Sequence, residues 1–286
     1  MLNFKKDTFT QALRLTQKQP WLEKKVETLA FMLADECDAD DQRELLIELL
    51  DRFFYISASE FQKKLEELAE SIVTDPDLDD GSTQIVAMAA DSSADSSQLV
   101  LYGLKIILEK YGWRSYRHVN TFGKAYATYK SKKTHKNIVL VDEFVGTGLT
   151  VIGRVSSICR QFHDANIVDF SVRVKVIVAT QHGFDAVKAA GINIEALVLI
   201  KKGISDFNSE EISNIKKKVM IDIEDILSKQ HGDNDLPSLG YGESESLYSR
   251  DDGNTPNNVF PIFWWPFNKD STIRHVLLTR AMSDER

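Results

Sequence analysis

The stretch at 137–150, NIVLVDEFVGTGLT, constrains this chain more than any other. Its four apolar residues, 138–141, read as a strand that ends at two acids, Asp142 and Glu143. A loop with Gly146 and Gly148 follows, and then a helix beginning near Thr150. Glycines strip side chains from a loop, so its backbone N–H groups can turn inward on an anion. The helix brings the positive end of its dipole to the same place. Thr147 and Thr150 add hydroxyl donors. Ligands of an open parallel sheet bind beyond the carboxyl ends of the strands, so the acids are expected beside the ligand. Carboxylates next to a phosphate nest suit a ribose 5-phosphate. The acids accept hydrogen bonds from the 2′- and 3′-hydroxyls, and the loop holds the phosphate. No Gly-Lys-Ser/Thr follows, which excludes a Walker A loop, and GTGLTV lacks the third glycine of a dinucleotide fingerprint.

The flanking sequence alternates between strand and helix patterns. Strands are expected at 84–90, 115–120, 172–179 and 194–200, and helices at 98–111, 151–162 and 184–190, the last stopped by Gly191. A final helix is expected at 210–229 behind an Asn208 cap. This pattern predicts an α/β fold with a parallel sheet flanked by helices. Residues 1–75 read as helical, and the turn cluster TDPDLDDGS at 74–82 ends them. Residues 231–258 are rich in Gly, Ser, Asp, Asn and Pro and read as a long mobile loop. The expected organisation is a helical segment at 1–78, a core at 79–230, and a linker with an aromatic tail at 231–286 packing on that core.

Composition narrows the function. The formal net charge of −8 argues against a general nucleic-acid binder, although a local basic patch survives that argument. Cys37 and Cys159 are too few for a disulfide framework or a zinc site, which fits a cytoplasmic protein. The N-terminus lacks the unbroken apolar core of a signal peptide. No run of 18 apolar residues occurs, so no membrane span is expected.

The order of strand, acids, Thr/Gly loop and helix resembles the PRPP-binding motif of type I phosphoribosyltransferases. The resemblance implies that Asp142 and Glu143 hold the ribose hydroxyls and that Val145, Gly146, Thr147, Gly148 and Thr150 bind the 5-phosphate. Such enzymes hold pyrophosphate on the loop after the first core strand, here Asp91, Ser92, Ser93 and Asp95. The reading as a solvated loop stands equally open. Mg²⁺ would enter on the pyrophosphate of PRPP. A mobile catalytic loop is expected before the PRPP strand, where TFGKAYATYKSKKTHKN offers Lys124 and the pair Lys132 and Lys133 to neutralise the departing pyrophosphate. A solvated basic hairpin is the alternative. Adjacent Trp264 and Trp265 are candidates to stack a base, against the blander reading that FWWPF anchors the tail. His182, Arg274 and His275 carry weaker signals.

The whole chain also resembles phosphoribosyltransferase-like proteins of bacterial conflict and anti-phage systems, through its VDEFVGTG motif, its FWWP block and its closing R-H-x-x-L-x-R. That resemblance implies a toxin-like effector beside a retron reverse transcriptase–nucleic acid complex and a winged-helix partner, and is compatible with a homodimer. Three functions follow: an enzyme acting at ribose C1, by phosphoribosyl transfer or nucleotide cleavage; a non-catalytic module sensing PRPP or a nucleotide; and a structural subunit of a nucleoprotein complex.

Overall fold

A computed structural model describes residues 6–91, 93 and 95–282. In chain order it builds α1 (Lys6–Lys18), α2 (Val26–Asp35), α3 (Asp40–Asp51), β1 (Phe54–Ile56), α4 (Ala58–Val73), β2 (Thr83–Ala87), α5 (Ser96–Lys110) and β3 (Arg117–Val119). It continues through α6 (Ala125–Lys132), β4 (Asn137–Val145), α7 (Leu149–Asp164), β5 (Ser171–Thr180), α8 (Gln181–Ala189), β6 (Asn193–Ile200), α9 (Glu210–Glu224), β7 (Gln230–His231), β8 (Asn234–Asp235) and β9 (Tyr248–Arg250). Two compact units emerge, residues 59–199 and residues 1–58 with 200–286. These divisions fall elsewhere than at the expected positions 78 and 230. Helix α4, grouped from its periodicity with the N-terminal segment, lies almost wholly in the first of these units.

Residues 59–199 form a five-stranded parallel sheet flanked by helices, in the order β3-β2-β4-β5-β6. The central strands β2, β4 and β5 each contain a buried apolar run, at 85–87, 138–141 and 176–179, as strands covered on both faces require. Their register pairs Leu140 with Val86 on one side and with Val174 on the other. Ile138, Leu140, Val174 and Val176 pack with Val151, Val155, Ile158 and Phe162 of α7, whose apolar residues recur at helical spacing. Helix α6 is fixed to α7 by Tyr126 and Tyr129, whose rings lie 5.2 and 5.0 Å from that of Phe162. The interval before β4 is therefore a packed crossover helix, where a mobile loop or hairpin was expected.

The other unit is built on α1, α2, α3 and α9 together with the C-terminal aromatic block. Leu29, Leu33, Leu46, Leu49, Phe260 and Phe263 share one buried cluster with Trp264 and Trp265. Both indoles are almost fully buried, and both N–H groups are spent, on the Val259 carbonyl and the Ser228 hydroxyl, each at 2.9 Å. The expected base-stacking role is thus corrected: neither ring presents a face to a ligand. The expected mobile loop at 231–258 is also corrected. Glu245, fully buried, accepts the Ile204 and Ser205 N–H groups, and β9 pairs in parallel with β1. Burial would raise the Glu245 carboxyl, but these donors with the Ser205 hydroxyl and Lys217 hold it below the usual range. The last helix begins behind Ser209, whose hydroxyl accepts the Ile212 N–H, rather than behind Asn208. No helix among the described residues is long and apolar enough to cross a membrane.

Candidate functional site

Strand β4 carries the acids inside the sheet rather than beyond it, because pairing with β5 continues to Val145 and Ala179. The extension separates their environments, since successive strand residues face opposite sides. Glu143 is 3% exposed, whereas Asp142 remains partly open. Asp142 Oδ1 accepts the Ser96 hydroxyl at 2.9 Å and the Glu143 N–H at 2.7 Å. Desolvation, then repulsion from Asp95 and Glu143, pushes Asp142 up to about 7, against the pull of those two donors.

The loop after Val145 turns into α7 through Gly148, whose φ of +79° lies in the left-handed region that favours glycine. The N-cap Gly148 offers α7 no side chain, and Thr147 Oγ1 accepts the Leu149 N–H at 3.5 Å, which leaves the other N–H groups of the first turn to a ligand beside Thr147 and Thr150. The loop is held from behind. Thr180, the N-cap of α8, donates its hydroxyl to the Gly146 carbonyl at 2.6 Å and accepts the Gly183 N–H at 2.9 Å. A Cβ on Gly183 would overlap the Gly146 carbonyl, and one on Gly148 would meet the Gly183 carbonyl at 2.7 Å. Two backbones thus touch at glycines, and the sequence gives no sign of the partnership because 34 residues separate Thr180 from Gly146.

The loop after β2 approaches the same end of the sheet. Asp95 caps α5 by accepting from the Ser97 N–H and hydroxyl, and Asp91 accepts the Ser93 N–H at 2.7 Å. Asp95 therefore acts as a helix cap, while Ser96, missed from the sequence, reaches Asp142. Ser92 lies outside the described residues. His182 is exposed at the start of α8. Arg274 is buried against Glu36, and His275 is exposed.

The expected catalytic pair is corrected by topology. Helix α6 carries the chain from the carboxyl end of β3 back to the amino end of β4, as every parallel crossover must. Lys132 and Lys133, at its end, therefore lie at the end of the sheet remote from Asp142 and the glycine loop, and both are exposed. His135 is a structural residue there, accepting the Thr134 hydroxyl and donating to the Ser115 carbonyl. Lys124, where α6 begins, is on the ligand side.

The PRTase-CE family profile matches residues 35–277. The chain belongs to the PRTase-CE family. No curated protein matches it by sequence. Solved structures similar to this PRTase-CE chain include three phosphoribosyltransferases. The xanthine-guanine-hypoxanthine enzyme of Helicobacter pylori is 12% identical over 51% of this chain and 84% of its own, with a TM-score of 0.32. The orotate enzyme of Aeropyrum pernix is 14% identical over 49% and 71%, with a TM-score of 0.31. The hypoxanthine-guanine enzyme of Schistosoma mansoni, in complex with IMP, is 16% identical over 53% and 67%, with a TM-score of 0.34.

Proposed function

We propose that this protein binds PRPP or a nucleotide 5′-phosphate at the glycine loop and acts at ribose C1, by phosphoribosyl transfer or by nucleotide cleavage. The observation that carries this reading is the start of α7 behind Gly148, an N-cap without a side chain, beside a partly open Asp142. Val145, Gly146, Thr147, Gly148 and Thr150 surround the phosphate, and Asp142 accepts a ribose hydroxyl. Glu143, expected to share that role, is almost fully buried, which leaves it to Asp142. The oxygen-only surroundings suit Mg²⁺, and the repulsion between Asp142 and Asp95 is of the kind a divalent cation relieves. Bound on pyrophosphate, that cation would supply charge neutralisation to the leaving group. Asp91 and Ser93 flank the same end of the sheet and would position the pyrophosphate. The resemblance to anti-phage proteins extends the proposal to a cytoplasmic, toxin-like effector of a retron-type system, with a winged-helix protein and a reverse transcriptase–nucleic acid complex as partners and a homodimer as its assembly.

One observation favours a second reading, a sensor that binds without turnover. The interval expected to close over the substrate is a helix packed on Phe162, and its terminal lysines are on the wrong side of the sheet.

Calorimetric titration of PRPP with Mg²⁺ tests the shared step. Binding to the parent and its loss in a Thr147→Val, Thr150→Val double variant is the expected result. Equal affinity in both would remove the loop from the site. Release of pyrophosphate or a free base on mixing with PRPP or nucleotides then separates enzyme from sensor.

A further inference from the structure

A groove along the edge strand β3 combines features that the ribose site does not use. Its volume is about 360 Å³, within the range of small-molecule sites. Tyr102 and Lys105 of α5, His118 of β3, and Asn120 and Lys124 beyond it line the groove. No carboxylate lines it, in a chain whose net charge is −8. Among the described residues neither Lys105 nor Lys124 has an ion-pair partner, and both are exposed. Desolvation and the Lys105 ammonium hold His118 below the usual imidazole range, with a hydrogen bond to the Leu101 backbone pulling the other way.

The aromatic component is independent of the charge. Tyr102 leaves 72% of its surface in water, although α5 buries its opposite face through Val100, Leu101, Leu104 and Leu108. A tyrosine ring standing beside two lysines offers a stacking face and two phosphate-binding points together. The groove also has a fixed end. Gln98 donates to the carbonyls of Asp91 and Asn120, at 3.1 and 3.3 Å, and the Phe122 N–H donates to the Ala89 carbonyl. These bonds leave the Asn120 side chain available to a ligand. None of the groove residues belongs to the loop at 142–150.

We infer that this groove is a second ligand site, for a nucleoside phosphate whose phosphates meet Lys105 and Lys124 and whose base lies on Tyr102. The two lysines supply charge without geometric selectivity, and the ring supplies stacking that any base satisfies. The groove shares no residue with the glycine loop, so its ligand is testable apart from PRPP.

The test is calorimetric titration of ATP, and separately of inorganic triphosphate, into the full chain carrying Thr147→Val and Thr150→Val. That background silences the loop, while loss of PRPP binding in the same background reads the loop by itself. ATP is expected to bind one site, at least tenfold more weakly once Lys105→Glu is added. Tyr102→Ala is expected to weaken ATP severalfold and leave triphosphate unchanged. Lys105 and Tyr102 are both exposed, so an unchanged melting temperature is expected for each variant and checks that the fold persists. Absence of ATP binding in the loop-silenced chain, or binding indifferent to Lys105→Glu, would overturn the site. Equal loss of ATP and triphosphate affinity in Tyr102→Ala would overturn the placement of the base.

Discussion

Thr180 donates its hydroxyl to the carbonyl of Gly146 at 2.6 Å, and through that bond the start of α8 fixes the loop proposed to hold phosphate. Thr180 is 2% exposed, so water cannot replace the donor. Thr180→Val should weaken PRPP binding roughly tenfold, from a loss of about 1–1.5 kcal/mol for a hydrogen bond to a group left unpaired. Thr180→Ser should retain most of the affinity. The comparison is calorimetric, and equal weakening by Val and Ser would assign the effect to packing instead.

Gly183 makes a sharper case because its α-carbon faces the Gly146 carbonyl directly. Gly183→Ala should displace the loop and reduce PRPP affinity by more than Thr180→Val does. Gly153, on α7 with open space around it, is the control. Gly153→Ala should bind normally and raise the melting temperature slightly, since alanine favours a helix interior by about 1 kcal/mol over glycine.

Asp142 predicts a stability that depends on pH with a definite sign. Its carboxyl ionises near 3.8 when unfolded and near 7 in the fold. Between those values the native state keeps a proton that the unfolded state has lost, so stability falls as pH rises through that window and the penalty is complete above about 7. Asp142→Asn should therefore stabilise the protein at pH 8 by on the order of 1–2 kcal/mol, with solvent at the partly open carboxylate reducing the full difference, and change little near pH 3.5. Thermal unfolding of both proteins across that range measures it. A variant less stable than the parent at pH 8 would contradict the raised value.

Lys124 and the pair Lys132 and Lys133 separate the two ends of the crossover. Replacing Lys132 and Lys133 with alanine should leave PRPP binding within twofold of the parent. If the double variant loses binding or turnover, the assignment of ends is wrong.

The sequence made the β4–α7 unit readable because everything that defines it is local: four apolar residues, two acids, two glycines and a helix within 14 positions. It could not show that pairing with β5 runs on to Val145, which buries Glu143 and leaves Asp142 partly open. Thr180 and Gly183 were invisible for a related reason, since their partners are far away in the chain. Basic character was legible at Lys132 and Lys133, but the end of the sheet they occupy depends on α6 being a packed helix, which Tyr126 and Tyr129 decide by docking on Phe162. The aromatic block was legible as a block. Its burial depends on helices more than 200 residues earlier, Leu29 and Leu46 among them. Ser96 carried no signal at all until the fold set it against Asp142.

Arg274 and Glu36 offer the last test, of what holds the C-terminal segment in place. The Glu36 carboxylate receives Nε and Nη2 of Arg274 at 2.5 Å each, and both residues are buried, at 8% and 4% exposure. A two-pronged pair of this kind is worth little net, because desolvating both charges offsets their attraction. Removing one partner is different, since the other charge is left buried and unmatched. Arg274→Met should therefore destabilise by about 3–5 kcal/mol, and adding Glu36→Leu should recover most of the loss. Tryptophan fluorescence during urea unfolding, read in a Trp113→Phe background, reports on this unit, because Trp21, Trp264 and Trp265 belong to it and Trp113 does not. A double variant no more stable than Arg274→Met alone would mean that the guanidinium acts through its third hydrogen bond, to the Trp265 carbonyl, rather than through Glu36.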